Sequence, residues 1–322
     1  MVQDVVVDGL GNLFAGGWFD TAGGISVKHI AKWDGNAWTA LGTGIDREVM
    51  AFAVDDSNGL YVGGAFDTAG GIEAKHIAKW KDGVWSTLGS GTNGTVLSLV
   101  IDKTGNLYAG GSFDTAGGTS TNLIAKWDGN SWNALGSGMG RDVPIPRVFT
   151  LAFDRSGNLI AGGLFDTAGG MAVNNIAKWD GRAWSVLGSG TNNNVWTLAI
   201  DNSSNLYAGG WFTYAGGKIS PYIAQCRLNG SAVIPRKTYN TSKHFSNYNA
   251  HANLLHFNLP SQTQIAYRIY SLSGRQIFSA SETMGAGDHS MRINTGNVAK
   301  GMYIVHFKAG DESMRFRLVV DK

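Results

Sequence analysis

Residues 96–101, Val-Leu-Ser-Leu-Val-Ile, form an apolar run that breaks off at Asp-Lys-Thr-Gly-Asn, where Asx and glycine chemistry favours a turn. The run has the length and the β-branched content of a strand. A second run, Leu107 to Phe113, follows; a polar loop from Asp114 to Thr121 intervenes; Leu123 to Trp127 makes a third. Asp128-Gly129 is a hairpin signal and leads into a fourth strand from Trp132 to Gly136. The pattern recurs along the chain. Its most regular mark is a small residue followed by two glycines at Ala15-Gly16-Gly17, Val62-Gly63-Gly64, Ala109-Gly110-Gly111, Ala161-Gly162-Gly163 and Ala208-Gly209-Gly210, at intervals of 47, 47, 52 and 47 residues.

Four antiparallel strands in a repeat of that length make one propeller blade. The sequence therefore predicts an all-β chain with a five-repeat β-propeller of four-stranded blades at 1–235, the blades falling near 1–45, 46–92, 93–140, 141–191 and 192–235. The glycine pairs let neighbouring backbones approach closely. Trp33, Trp80, Trp127 and Trp179, each followed five residues later by Trp38, Trp85, Trp132 and Trp184, fill the wider spaces between blades. Blade five is spelled differently: Cys226 takes the tryptophan position, Asn229-Gly230 makes the turn, Ser231 to Ile234 replaces the fourth strand, and Pro235 ends the sheet. A departure from consensus is expected at the end of a repeat array.

Beyond Pro235 the pattern changes. Residues 236–252 are polar and without period, and read as a linker. Alternating runs then predict strands at Leu254–Leu259, Gln264–Tyr270, Gln276–Ser279, His289–Ile293, Met302–Lys308 and Met314–Val320, a small antiparallel β-sandwich over 253–322. Composition supports the division. All 11 tryptophans lie before residue 231; residues 1–230 carry 15 Lys and Arg against 19 Asp and Glu, and residues 231–322 carry 11 against 5. The basic residues of the second part form no run, so nucleic acid is not an expected partner. No stretch approaches the ~18 apolar residues of a membrane span, and one cysteine, Cys226, excludes an internal disulfide framework.

The tail carries ordered motifs: Ala266-Tyr267-Arg268-Ile269-Tyr270-Ser271-Leu272-Ser273-Gly274-Arg275, then Gly301-Met302-Tyr303-Ile304-Val305, then Arg317-Leu318-Val319-Val320-Asp321-Lys322. Their succession resembles the C-terminal sorting domain of type IX secretion cargo, with Gly274, Arg275, Gly301, Tyr303 and Lys322 as the matching positions. Asn297 to Lys300 departs from the family, which more often places a leucine before the Gly-x-Tyr. The resemblance implies passage through the inner membrane, export directed by this domain, its usual removal afterwards, and the type IX machinery as a partner. The expected location is secreted or on the outer-membrane cell surface. Such cargo enters by a signal peptide, and Met1-Val2-Gln3-Asp4 has neither a basic n-region nor an apolar h-region. We therefore expect a sequence truncated at its N-terminus. The repeats themselves are similar in kind to kelch-like and polarity-marker propellers of secreted bacterial proteins, which implies a fold and little about ligand.

Phe-Asp-Thr-Ala-Gly-Gly recurs unchanged at 19–24, 66–71, 113–118 and 165–170, on the loop between strands two and three, and becomes Phe212-Thr213-Tyr214-Ala215-Gly216-Gly217 in blade five. Asp20, Thr21, Asp67, Thr68, Asp114, Thr115, Asp166 and Thr167 are thus candidate ligand residues ringed on one face. An Asx-turn at each Asp, holding the loop against the glycine pair, is the simpler account. Asp8, Asp55, Asp102, Asp154 and Asp201 repeat on the opposite face and are explained by turn formation. The five extra residues between blades three and four lie within Met139 to Arg147; Arg141 and Arg147 could meet a partner there, although surface loops accept insertions at little cost. Catalysis needs a constellation that breaks repeat symmetry, and the non-repeated acids Asp46, Glu48, Glu73 and Asp142 are scattered, while His29 and His76 share a repeat position with Leu123, Asn175 and Tyr222. The expectation is a non-catalytic binding module without metal or cofactor, its ligand a polysaccharide or a surface protein. The alternative is a spacer propeller of a larger exported enzyme.

Overall fold

The structure, a computed structural model, describes residues 1–140, 146–228, 245–249, 254–271, 275–296, 298–310 and 312–320. The chain divides into two compact units, Met1–Pro235 and Arg236–Lys322. Every regular element among the described residues is a strand.

Blades one to four are four-stranded antiparallel sheets in simple up-and-down order. In blade three the strands are Val96–Ile101, Leu107–Gly111, Ile124–Trp127 and Trp132–Ala134, close to the runs read from the sequence. Blade five has three described strands, Val195–Ile200, Asn205–Gly210 and Ile223–Arg227; its predicted turn, fourth strand and Pro235 lie outside the described residues. Each first strand carries a bulge near its start, which leaves Gln3, Met50, Leu97, Phe149 and Trp196 without a directly paired partner.

The turn between strands three and four differs from expectation in blades one, three and four. Trp33 pairs with Trp38, Trp127 with Trp132 and Trp179 with Trp184, so four residues form each loop. The Asp side chain closes it: Asp128 Oδ1 accepts from the backbone of Asn130 at 2.9 Å and of Ser131 at 2.8 Å. Among the described turns, blade two alone has the two-residue form, with Lys81 paired to Val84 and Asp82 and Gly83 both at positive φ, 50° and 81°.

Blade-to-blade packing repeats one arrangement four times. The first glycine of each pair is a socket: a Cβ on Gly63 would stand 2.5 Å from Val96 Cγ1, and one on Gly110 would stand 2.6 Å from Val148 Cγ1. The second glycine faces a carbonyl of its own blade at the bulge, so that a Cβ on Gly64 would clash with the carbonyl of Glu48. Around the first three sockets the incoming blade contributes a Val, a Leu or Phe, the loop Phe and the second Trp of its pair; at the fourth, blade five contributes Val195, Leu198 and Phe212 without a tryptophan. Trp85, Trp132 and Trp184 donate their indole N–H to the carbonyls of Leu41, Leu88 and Leu135 in the preceding blade at 3.0, 2.9 and 2.8 Å. Fully burying each large apolar side chain contributes about 1.5–3 kcal/mol, so each junction is a substantial source of stability.

The second unit is a sandwich of a three-stranded and a four-stranded sheet. The inner faces bury Leu255, Phe257, Leu259, Ile265, Tyr267, Ile269, Val305, Phe307, Leu318 and Val320. Its six predicted strands are present. The segment 236–252, expected to be linker throughout, contributes a further strand, Phe245–Asn249, paired with Leu254–Leu259. A polar segment becomes a strand here because the adjacent edge supplies backbone partners, which outweighs weak local propensity.

Candidate functional site

The Phe-Asp-Thr-Ala-Gly-Gly segment is a small hairpin. In blade three Thr115–Ala116 pairs with Thr119–Ser120 across Gly117 and Gly118, both at positive φ. Most of its residues have structural duties. Phe66, Phe113, Phe165 and Phe212 are buried, as are Ala69, Ala116 and Ala168. The first turn glycine lies on the second Trp of its blade, where a Cβ on Gly70 would clash with Trp85 Cδ1. The Asx role expected of the hairpin Asp belongs, in blades two, three and five, to the segment before the blade: Asp46 Oδ1 accepts from the backbone of Asp67 and Thr68, and Asn93 Oδ1 accepts from Asp114 and Thr115. Asn192 does the same for Thr213 and Tyr214. In blade four the Asp166 N–H donates to the backbone carbonyl of Gly140.

The candidate Asp and Thr side chains are consequently left at the surface. Asp20, Thr21 and Asp114 are exposed or partly so, and Thr68, Thr115, Asp166 and Thr167 are half-buried. Asp67 forms an exposed ion pair with Arg47 at 3.3 Å. Among the described residues no group of His, Cys, Asp or Glu is placed to hold a metal ion. Of the two insertion arginines, Arg141 lies outside the described residues. Arg147 opens strand Arg147–Phe153, paired with Leu164, and its Nε is buried without a hydrogen-bond partner among the described residues.

The second acidic series forms turns, as its spacing predicts. Asp8, Asp102, Asp154 and Asp201 each accept from backbone N–H groups of their own hairpin and from the side-chain amide of an Asn four residues on. In blade two Lys79 replaces that amide, donating to Asp55 at 2.8 Å. Burial alone would raise the Asp55 carboxyl, but hydrogen bonds from Lys79, Ser57 and Gly59 outweigh it and hold the group down at about 2. The histidines are structural too. His29, His76, Leu123, Asn175 and Tyr222 share a left-handed backbone conformation, and His76 and Asn175 meet the carbonyls of Thr92 and Thr191.

One cluster breaks the repeat symmetry. Trp196 is the bulged residue of blade five, and the ring of Phe149, the bulged residue of blade four, stacks on it at 4.0 Å. Trp211 follows the glycine pair of blade five and meets Trp196 edge-on at 5.5 Å. Trp196 and Trp211 are 41% and 65% exposed, and Tyr214 on the adjoining hairpin is 48% exposed. Blades two and three place Met50 with Ala65 and Leu97 with Ser112 at these positions. The cluster stands at the end of the sheets from which the Phe-Asp-Thr hairpins project, since Val195 pairs with Gly210 at that end. A sequence signal existed: eight tryptophans form the four pairs, and Trp18, Trp196 and Trp211 are the three left over.

In the second unit, Ser271 and Arg275 close a turn through two hydrogen bonds, Ser271 N–H to Arg275 O at 2.8 Å and Arg275 N–H to Ser271 Oγ at 3.1 Å. Strand Thr263–Ser271 runs between Gln276–Met284 and Gly301–Ala309, so the turn motif and the Gly-x-Tyr motif lie in one sheet. Residues 250–321 match the family model of the secretion system C-terminal sorting domain. The tail is a type IX sorting domain. No curated protein matches the chain. In the sorting domain Tyr303 pairs with Ser271 and its hydroxyl donates to the carbonyl of Ala299 at 3.0 Å. Val298, just ahead of the Gly-x-Tyr, is buried in the core. Gly274 and Lys322 lie outside the described residues. The sorting domain marks the chain as a secreted or cell-surface protein that engages the type IX machinery.

Proposed function

We propose that this chain is an exported, non-catalytic binding protein whose blade array presents a recognition platform for polysaccharide. The carrying observation is the cluster of Trp196 and Trp211, exposed aromatic rings backed by the half-buried Phe149, at the face bearing the Phe-Asp-Thr hairpins. Exposed aromatic clusters of this kind are uncommon on monomers unless they meet a ligand. Flat rings offer the apolar face that the CH groups of a sugar ring stack against. Sorting by the tail delivers such a platform to the place where extracellular polysaccharide is found.

The test is titration of the full chain against a panel of plant, algal and bacterial polysaccharides, following tryptophan fluorescence. Binding to at least one member, weakened about tenfold or more in Trp211→Ala, supports the reading; a tenfold loss corresponds to about 1.4 kcal/mol. Silence across the panel, or binding indifferent to Trp211, contradicts it.

A further inference from the structure

The second unit spreads its cations thinly along the sequence, and its four-stranded sheet gathers them. In strand Thr263–Ser271, Ile265, Tyr267 and Ile269 are buried, while Gln264 and Arg268 between them are exposed. Strand Gly301–Ala309 alternates likewise, with Val305 and Phe307 buried and Lys308 exposed. Antiparallel pairing sets Arg268 opposite His306 and Ala266 opposite Lys308. The next strand, Glu312–Val320, pairs Arg315 with His306 and Arg317 with Ile304. Leu318 and Val320 of that strand are buried, so the register assigns Arg315 and Arg317 to the other face. Arg268, His306, Lys308, Arg315 and Arg317 therefore share the face of the sheet turned away from the core.

Among the described residues that face carries no Asp or Glu. Glu282 and Glu312 pair with Ile265 and Ala309, in the rows of the buried side. Asp288 belongs to the other sheet, where Asn258 Nδ2 donates to its carboxylate at 2.8 Å. The exposed positions of that sheet, Asn258, Asp288, Ser290 and Arg292, are mixed in charge. The two outer faces of the sandwich thus differ in kind. On the basic one, Tyr270 and Ile304 pair with each other and stay half-buried, adding apolar surface beside the cations. A surface of one sign steers the encounter with an oppositely charged partner and fixes how the two meet.

We propose that the sorting domain engages the type IX machinery through this basic face, and that the surface receiving it is acidic. The domain has a partner in that machinery, and this sheet face alone presents a single sign of charge to it. Orientation follows from the asymmetry: docking by the three-stranded sheet would bring Asp288 against an acidic surface, and like charges across a contact oppose binding.

The experiment follows export of the full chain, expressed behind a periplasmic signal peptide in a host with type IX secretion. Arg268→Glu with Lys308→Glu should lower delivery to the cell surface and medium by at least about tenfold, with intact chain accumulating in the periplasm. Both side chains are exposed, so the purified variant should keep the wild-type thermal midpoint. Arg268→Gln with Lys308→Gln, which removes the cations without adding acids, should lose export in the same direction. Arg268→Lys with Lys308→Arg keeps the charges and should be exported as wild type is, and so should Arg292→Glu on the other sheet. Wild-type export of the Glu and Gln pairs, arrest of the charge-preserving pair, or equal arrest by Arg292→Glu overturns the proposal. Normal export of the Glu pair together with lost binding to phosphatidylglycerol vesicles would assign the face to anionic lipid, and overturns it too.

Discussion

The indole of Trp132 is 5% exposed, stacks obliquely on Trp127 at 5.4 Å, and donates to the carbonyl of Leu88 in the preceding blade. Replacing it with Phe keeps much of the ring volume but leaves that buried carbonyl without its donor. Trp132→Phe should therefore lower stability by about 1–3 kcal/mol, measured by urea unfolding of the full chain. Asp55 gives a pH-dependent counterpart. Its carboxyl sits at about 2 when folded against an ordinary value of 3.8, and its side chain is 15% exposed. A lowered folded value means that the stabilisation is complete above the ordinary value and is lost as pH falls through the folded one. Asp55→Asn should cost about 2 kcal/mol at neutral pH, and the gap to wild type should close between about pH 4 and pH 2. A gap that persists undiminished at pH 2 would assign the loss to packing instead.

At the scale of the element, the junction depends on what glycine omits. Gly63→Ala places a methyl 2.5 Å from Val96 Cγ1, in a sheet interface with no room to yield. The expected loss is about 1–3 kcal/mol with a lower thermal midpoint. Gly118→Ala is the control: open space surrounds its Cβ, and only the φ of +79° opposes it, at about 1–2 kcal/mol. The strands of blade three were legible in the sequence because apolar runs, Gly-Gly and Asx turns all agree on their limits. The two-residue strands Thr115–Ala116 and Thr119–Ser120 were not, because two residues carry no periodicity. Phe245–Asn249 was missed for another reason: its composition is that of a linker, and only the edge of Leu254–Leu259 makes it a strand. The aromatic cluster fell between these cases. The unpaired tryptophans could be counted, but bringing Phe149 onto Trp196 needs the bulge and the next blade together.

For the whole molecule, repetition and its interruption have different meanings. The residues that recur, down to the hairpin Phe, Ala and Gly, are occupied in holding blades together. Destination is written in the sorting domain, which the repeats do not resemble. Deleting residues 250–321 should leave the first unit folded, since the two units are separately compact, and should abolish delivery to the cell surface in a host with type IX secretion. Surface labelling and fractionation check this; undiminished surface delivery of the deletion would contradict it.

Binding should follow the same logic, residing in Trp196 and Trp211 rather than in the repeated Asp ring. The most direct measurement compares polysaccharide affinity of the full chain carrying Trp196→Ala and Trp211→Ala with that of a chain carrying Asp20→Ala, Asp67→Ala, Asp114→Ala and Asp166→Ala. A loss of about tenfold or more in the first, with the second within about threefold of wild type, is the predicted result. Loss confined to the Asp variant, with the tryptophan variant binding normally, would contradict the account.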